Sequence, residues 1–158
     1  MTLGEMLQQK LASKPGTAPQ TVTVEDAGSG ARAEAEVEAC DTFGCRLRGL
    51  RVQRGSAGQH EPLPQWAQRV ARQASGLLEP LAVHEIDPTR GEARLRSQSP
   101  TRKGDEVQYY EAVLNNAGQA SLHRYRASHD PHRPREMVPF TVTHEAAGKL
   151  VDDLIGTQ

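Results

Sequence analysis

The fold is decided by the stretch LPQWAQRVARQASGLLEPLAVHEIDPTRGEARLRSQSPTRKGDEVQYYEAVLNNAGQASLHRYRA, which runs from Leu63 to Ala127. Its first part repeats apolar residues at helical spacing and ends at a proline, which predicts an amphipathic helix over Leu63–Leu78. Beyond it, apolar and polar residues alternate with a period of two, and the turn signals Asp87–Gly91 and Asn115–Gly118 separate the runs. One helix followed by a meander of strands therefore forms the centre of the predicted fold.

The residues before this stretch predict a helix and a meander of three strands. Thr2 and Glu5 have the spacing of a capping box, at the start of a helix that we expect over about Leu3–Lys14. The alternation that follows changes phase after Gly49, which predicts a bulge there. The three strands are expected at Thr21–Glu25, Ala31–Ala39 and Cys45–Val52.

The residues after Ala127 predict a polar loop over 128–136, a short strand at Met137–Val142 and a last helix that begins at Thr143. The chain is thus expected to form one α+β domain over residues 1–158, in which residues 1–19 supply a helix and a linker. The element order is helix, three strands, helix, four or five strands, helix. We expect a twisted, mainly antiparallel meander sheet with the helices on one face.

Composition excludes several classes of protein. The formal net charge is -1, the sequence pI is near 6.6 and charged residues make up 25% of the chain, so no global field favours nucleic acid or a membrane surface. No apolar run has membrane-spanning length, and Met1–Pro15 lacks the apolar core of a signal peptide. Two cysteines cannot form a disulfide scaffold. We therefore expect a cytoplasmic protein that does not bind membranes.

Cys40 and Cys45 lie on either side of the predicted hairpin turn. They have opposite parity, so on a regular ladder their side chains point to opposite faces, and a direct disulfide would need a bulge. The spacing also lacks the tight pairs of a zinc site. Cys45 is expected to be a small buried side chain and Cys40 an exposed or edge residue.

The polar loop contains another pattern that suggests a metal. His129 and His132 are three residues apart with Asp130 between them, and imidazoles with a carboxylate are ligands for divalent metals or groups for proton transfer. Polar loops collect such residues for their turn chemistry as well, so metal binding or catalysis by this loop is kept as an alternative and no metal ligand is assigned.

No other motif predicts catalysis or a cofactor. The segment His144–Gly148 begins like a zinc-protease signature, but Gly148 replaces the second histidine, which excludes that class. A phosphate loop, a dinucleotide-binding glycine motif and a nucleophile elbow are all absent from the sequence. We predict no catalytic residue and no cofactor.

Arginines recur on the predicted strands, near tyrosines that are able to stack on bases. This pattern is compatible with single-stranded nucleic acid. Glutamates on the neighbouring strands favour another explanation, in which opposite charges pair across the ladder on a solvated face. We expect nucleic-acid binding to be unlikely. The arginines are Arg46, Arg48, Arg94, Arg96, Arg124 and Arg126, the tyrosines Tyr109, Tyr110 and Tyr125, and the glutamates Glu34, Glu36, Glu38, Glu106 and Glu111.

The order of elements resembles that of the class I secretion chaperones. The resembling segments are Leu3–Leu11, Thr21–Val52, Leu63–Leu78, Leu81–Leu95 and Thr143–Ile155. The resemblance implies a small cytosolic α+β homodimer that binds unfolded segments of exported proteins. Together with the absence of reactive motifs, it leads to the hypothesis of a non-enzymatic protein-interaction module. We expect a protein partner or self-association through a surface that includes Trp66, Val70 and Leu77.

Overall fold

The computed structural model describes residues 1–56 and 60–156, and within them it contains three helices and a ten-stranded sheet whose strand pairs are antiparallel. This confirms the predicted α+β class and element order. The helices are α1 (Leu3–Ala12), α2 (Leu63–Gln73) and α3 (His144–Ile155). The strands are β1 (Gln20–Glu25), β2 (Arg32–Cys40), β3 (Gly44–Gln53), β4 (Leu81–Asp87), β5 (Glu92–Ser97), β6 (Thr101–Lys103), β7 (Glu106–Asn115), β8 (Gln119–Ser128), β9 (Glu136–Val138) and β10 (Phe140–Thr143).

One continuous sheet joins the two predicted meanders. Its main path is β1-β2-β3-β8-β7-β5-β4, and the short strands β10, β6 and β9 pair with β3, β7 and β8. The junction is the pairing of β3 with β8, where Leu50 lies opposite Leu122. This pairing brings the strands on either side of α2 together and makes β8 the central strand of the main path, with β7 and then β5 beside it.

The sheet has a helix-covered face and a helix-free face. Residues such as Val22, Ala35, Leu50, Leu95 and Leu122 alternate along their strands, are buried and form one apolar cluster with all three helices. The intervening residues point to the opposite, helix-free face. The period-two pattern of the sequence therefore separates a core from a second face that none of the helices within residues 1–56 and 60–156 covers.

Two glycines allow α1 and α3 to cross closely. Cβ atoms built on Gly4 or Gly148 would overlap the backbone carbonyl of the other glycine. Gly148, which replaces a histidine in the protease-like segment, thus has a packing role in this fold. The start of α1 is capped as predicted, because the Thr2 hydroxyl accepts a hydrogen bond from the Glu5 N–H at 3.0 Å.

Helix α2 is shorter than the sequence predicts. It ends at Gln73 rather than Leu78, and Gly76 adopts a left-handed conformation with φ of 86°. The segment that follows turns Glu79 into the protein and leaves Leu78 exposed. The apolar spacing of the last predicted turn was therefore misleading, because those residues serve a turn and not a helix face.

Short strands account for the remaining differences. The polar segment Gln98–Asp105 contains β6, and the predicted strand Met137–Val142 is divided into β9 and β10 at Pro139. Proline has no N–H for a ladder, and at this point the chain leaves β8 and joins β3. Three-residue strands such as β6 are too short to produce a recognisable alternation.

The β2–β3 hairpin contains two register shifts and a disulfide between Cys40 and Cys45. Arg48, next to the predicted bulge at Gly49, is the unpaired residue of β3, and Glu38 is the unpaired residue of β2. The two shifts cancel, so Glu36 lies opposite Gly49 before them and Cys40 lies opposite Cys45 after them, in the same register. A regular ladder would therefore also pair Cys40 with Cys45, and directly opposite residues share a face, so the expectation that a direct disulfide would need a bulge was wrong. The two bulges instead turn both cysteine side chains from the helix-free face to the core. The expectation that Cys40 is exposed or at an edge was wrong, since both cysteines are buried.

Removing this disulfide should destabilise the fold measurably. The cross-link closes a loop with a sequence separation of 5, for which loss of the loop-closure constraint corresponds to about 2 kcal/mol. We expect the double variant Cys40→Ser/Cys45→Ser to lose this amount in urea unfolding. Reduced wild-type protein should match the double variant. Equal unfolding midpoints for the oxidised wild type and the double variant would contradict the prediction.

Candidate interaction surface

The candidate site lies on the helix-free face, over β5, β7 and β8. Glu111 on β7 points outward there, opposite His123 on β8, yet its side chain is only 2% exposed. It is covered by Arg94 and Arg96 of β5 and by Arg135 of the loop before β9. We call Glu111 and these three arginines the arginine cluster.

Three guanidinium groups share the single carboxylate of Glu111. Arg94 Nη1 donates to Oε1 at 3.0 Å and Arg96 Nε donates to Oε2 at 2.8 Å. Arg135 donates to both oxygens, at 2.8 and 3.2 Å, in the bidentate geometry that guanidinium and carboxylate favour. The loop containing Arg135 is thereby attached to the sheet.

The cluster stabilises Glu111 in its charged form. Burial alone would raise the pKa of Glu111, but hydrogen bonds from Arg135 and Arg96 outweigh this effect and hold the pKa below its ordinary value. The hydrogen bond to Glu111 in turn raises the pKa of Arg135. Glu111 and Arg135 are therefore both charged at neutral pH.

Two tyrosines border the cluster. Tyr109 and Tyr125 are paired across β7 and β8 with ring centroids 6.0 Å apart, and both are partly exposed. The guanidinium of Arg135 lies 3.7 Å from the centroid of the Tyr125 ring, and Arg135 Nη1 also donates to the Tyr109 hydroxyl at 3.2 Å. Aromatic and guanidinium groups thus form one continuous surface.

His123 packs beside the cluster, over Gly49 of β3. A Cβ on Gly49 would lie 2.6 Å from the imidazole Nε2, so the glycine makes room for the ring. Burial lowers the pKa of His123, and the nearby positive charge of Arg51 lowers it further, against the opposing effects of Glu36 and Glu111. The fold therefore favours the neutral imidazole.

Stability should consequently fall as pH drops below the ordinary imidazole value of 6.5. Because the folded state has the lower pKa, the unfolded chain binds the proton first, so the contribution of His123 is complete above 6.5 and is lost as pH falls through the folded pKa. Urea unfolding measured above and below this pH gives the change in the free energy of unfolding with pH. This change should be smaller for His123→Gln than for wild type. The exposed His132→Gln serves as control, and an unchanged slope in His123→Gln would contradict the prediction.

Cross-strand pairing of glutamates and arginines is confirmed. Arg46 and Arg48 each lie 3.9 Å from Glu38, and Arg51 lies 3.9 Å from Glu36. The strand arginines do not share one surface, however. Arg124 points to the helix-covered face and is 3% exposed, because it lies opposite the buried Tyr110.

Arg124 forms a buried ion pair that the sequence did not indicate. Its Nη1 and Nη2 donate to the two carboxylate oxygens of Glu79 at 3.0 and 3.1 Å. Hydroxyls of Ser97 and Thr101 complete the hydrogen bonding of Glu79, each at 2.8 Å. The pair secures the segment between α2 and β4 to the sheet, which is a structural role.

The predicted surface around Trp66 is not at the surface. Trp66 and Val70 are completely buried, and the Trp66 indole donates a buried hydrogen bond of 2.7 Å to the Leu154 carbonyl. Leu77 lies beyond the end of α2 and packs partly against the core. The apolar side chains of α2 thus pack in the core of this protein. Their assignment to a contact surface was therefore wrong.

The histidine loop is exposed and its polar groups stabilise its own turn. The Asp130 carboxylate accepts a hydrogen bond from the His132 N–H at 2.9 Å. His129 and His132 are exposed, while His123 and His144 lie in other, buried environments. Within residues 1–56 and 60–156, no group of three or more His, Cys, Asp or Glu side chains is placed to hold a metal. The structure therefore does not bring His129, Asp130 and His132 together as ligands.

The sequence named most members of the site and missed one. Glu111 was expected to pair with arginines of the strands that follow α2. Two of these, Arg94 and Arg96, alternate with apolar residues, which places them outward. Arg135 was missed, because it lies in a loop with no periodicity and reaches Glu111 across a sequence separation of 24. Its distance from Glu111 along the chain left no local signal.

Comparisons with known proteins identify no relatives. No family model, curated protein or solved structure matches the chain. Among the described helices, none has the length and apolar character needed to cross a membrane.

Proposed function

We propose that this protein is a non-enzymatic interaction module that binds another protein through the helix-free face, centred on the arginine cluster. The observation that carries the proposal is the convergence of three arginines and two tyrosines around one buried carboxylate on a face that no helix covers. Arginine and tyrosine are the residues enriched at protein interfaces and among their strongest contacts.

Preorganisation supports this role. The inward atoms of the three guanidinium groups are held by Glu111, while their side chains remain 32%, 36% and 34% exposed. Side chains that are already ordered lose little conformational entropy when a partner binds. A surface of this kind is suited to recognition.

Site-specific photo-crosslinking in the producing cells tests the proposal. A photoreactive residue replaces Ser121, on the helix-free face beside the cluster, or Glu145, on the exposed side of α3. We expect a discrete protein adduct from position 121 and none from position 145. The adduct partner, once purified, should bind wild-type protein with defined stoichiometry and bind the Val113→Glu variant more weakly. The same adducts from both positions, or none from position 121, would overturn the proposal.

The homodimer implied by the chaperone resemblance stays a separate prediction. Size-exclusion chromatography with light scattering across a dilution series tests it. A strict monomer at high concentration would remove the homodimer and leave the proposed binding face in place.

The cytoplasmic location also stays a prediction, and the disulfide makes it testable. Thiols are kept reduced in the cytosol, so a cytoplasmic protein should carry Cys40 and Cys45 largely as thiols in the cell. Differential alkylation of freshly lysed cells measures this. A fully oxidised pair would place the protein in an oxidising compartment instead.

A further inference from the structure

Resting on the proposed function, the geometry points to a more specific ligand: the arginine cluster binds side-chain carboxylates of an acidic segment in the partner protein. The cluster already binds one carboxylate, that of Glu111, through the bidentate fork of Arg135. The planar guanidinium is matched to carboxylate geometry, so a second carboxylate at the same groups uses the same recognition chemistry.

Hydrogen-bond donors remain for such a ligand. Arg96 contacts Glu111 through Nε alone, and within the described residues no protein group accepts a hydrogen bond from its two Nη atoms. Arg94 uses Nη1 for Glu111, and its Nη2 lies 3.6 Å from Glu92. The donors left over are on the exposed side of the cluster, where a partner can reach them.

The charge of the cluster indicates which charge its ligand carries. Three guanidinium groups face the carboxylates of Glu111 and Glu92, so the cluster keeps a positive surplus. Glu111 is buried and its pKa is lowered, so it stays negatively charged at neutral pH. Small changes of pH near neutrality therefore do not alter the charge that Glu111 contributes to the cluster. An anionic partner group is therefore attracted to the outer side of the three arginines.

The surrounding face favours an acidic protein segment over nucleic acid. Glu34, Glu36 and Glu92 lie on the same helix-free face, and the formal net charge of the chain is -1. The sugar-phosphate backbone of a nucleic acid requires a continuous row of basic side chains, and these glutamates interrupt such a row. A protein segment can place carboxylates at the cluster and other residues beside the glutamates.

Fluorescence anisotropy with a labelled oligoglutamate peptide tests the inference, with an oligoglutamine peptide of equal length as the neutral reference. Wild-type protein should bind oligoglutamate and not oligoglutamine, and added salt should weaken binding. Arg94→Gln/Arg96→Gln should lower the affinity about tenfold or more, because hydrogen bonds to charged groups are lost. Arg96→Lys keeps the positive charge but loses the planar fork, so it should lose part of the affinity for oligoglutamate. If the double variant does not fold, the Arg96→Lys variant tests the inference in its place.

The matched control is Arg46→Gln/Arg48→Gln, which removes the same charge from exposed strand arginines outside the cluster. This control should bind like wild type. Equal loss in both double variants, no binding of oligoglutamate by wild type, or tighter binding of a single-stranded oligonucleotide than of oligoglutamate would each overturn the inference. If the Ser121 crosslink persists while oligoglutamate fails, the face binds protein without carboxylate recognition. If both fail, the proposed function is lost as well.

Discussion

Replacing Arg124 by Met is expected to lower the free energy of unfolding by about 3–5 kcal/mol, since it removes one partner of a buried ion pair. Glu79, which is 6% exposed in wild-type protein, would keep only the Ser97 and Thr101 hydroxyls as partners. Burial would then raise the pKa of Glu79, whereas hydrogen bonds, above all from Arg124, now outweigh burial and hold it below the ordinary value. Urea unfolding followed by circular dichroism measures the loss.

Two further variants make this prediction specific. Arg126→Met, on the same strand, removes an exposed arginine paired with Glu136 and should cost at most about 1 kcal/mol. Glu79→Gln added to Arg124→Met removes the stranded charge and should recover part of the stability. Equal losses for Arg124→Met and Arg126→Met would show that the buried pair is not formed.

Trp66→Ala is the second change with a large expected effect. The side chain is completely buried, its indole donates to the Leu154 carbonyl, and the Arg54 guanidinium lies 3.7 Å from its ring centroid. Deleting a buried tryptophan typically costs about 3–5 kcal/mol, because a cavity forms and packing is lost. Trp66→Phe should cost less, since it keeps most of the ring and loses the hydrogen bond.

Leu78→Ala is the control for this prediction, because Leu78 is 78% exposed and should change stability by no more than about 0.5 kcal/mol. Trp66 is the one tryptophan of the chain, so its fluorescence also reports its environment in wild-type protein. If the Trp66→Ala protein had wild-type stability, Trp66 would not be buried and would again be a candidate contact residue.

The fold was predictable where patterns are long and local. The alternation of β2, the hairpin of β7 and β8 and the capped start of α1 all follow from periodicity and turn chemistry. Element boundaries were less predictable where a turn carries apolar residues, as at Leu77 and Leu78. Helix α2 ends at Gln73, and the chain then turns at Gly76 so that Glu79 meets Arg124, a tertiary contact that local periodicity does not reveal.

The site was predictable only in part. The sequence predicted that Arg94 and Arg96 alternate with apolar residues on one strand and that Glu111 pairs with strand arginines, and in the structure Arg96 lies opposite Glu111. Arg124 was expected on the solvated face with the other strand arginines, and this was wrong, since it is buried against Glu79. His123, Arg124 and Tyr125 are all polar or amphipathic, so the sequence shows no alternation that would place Arg124 on the helix-covered face. The disulfide did not follow from residue parity, because directly opposite residues on an antiparallel ladder share a face whether their numbers are odd or even, and Cys40 lies directly opposite Cys45.

Amide chemical-shift mapping tests the central claim most directly, namely that the helix-free face around Glu111 is the binding surface. Isotope-labelled protein is titrated with oligoglutamate, and with the crosslinked partner once it is purified. We predict that the largest shifts occur in β5, β7 and β8 and at Arg135, with α1 and α3 unchanged. Shifts concentrated on the helices or on the β2–β3 turn, or no shifts with a partner that binds, would contradict the account.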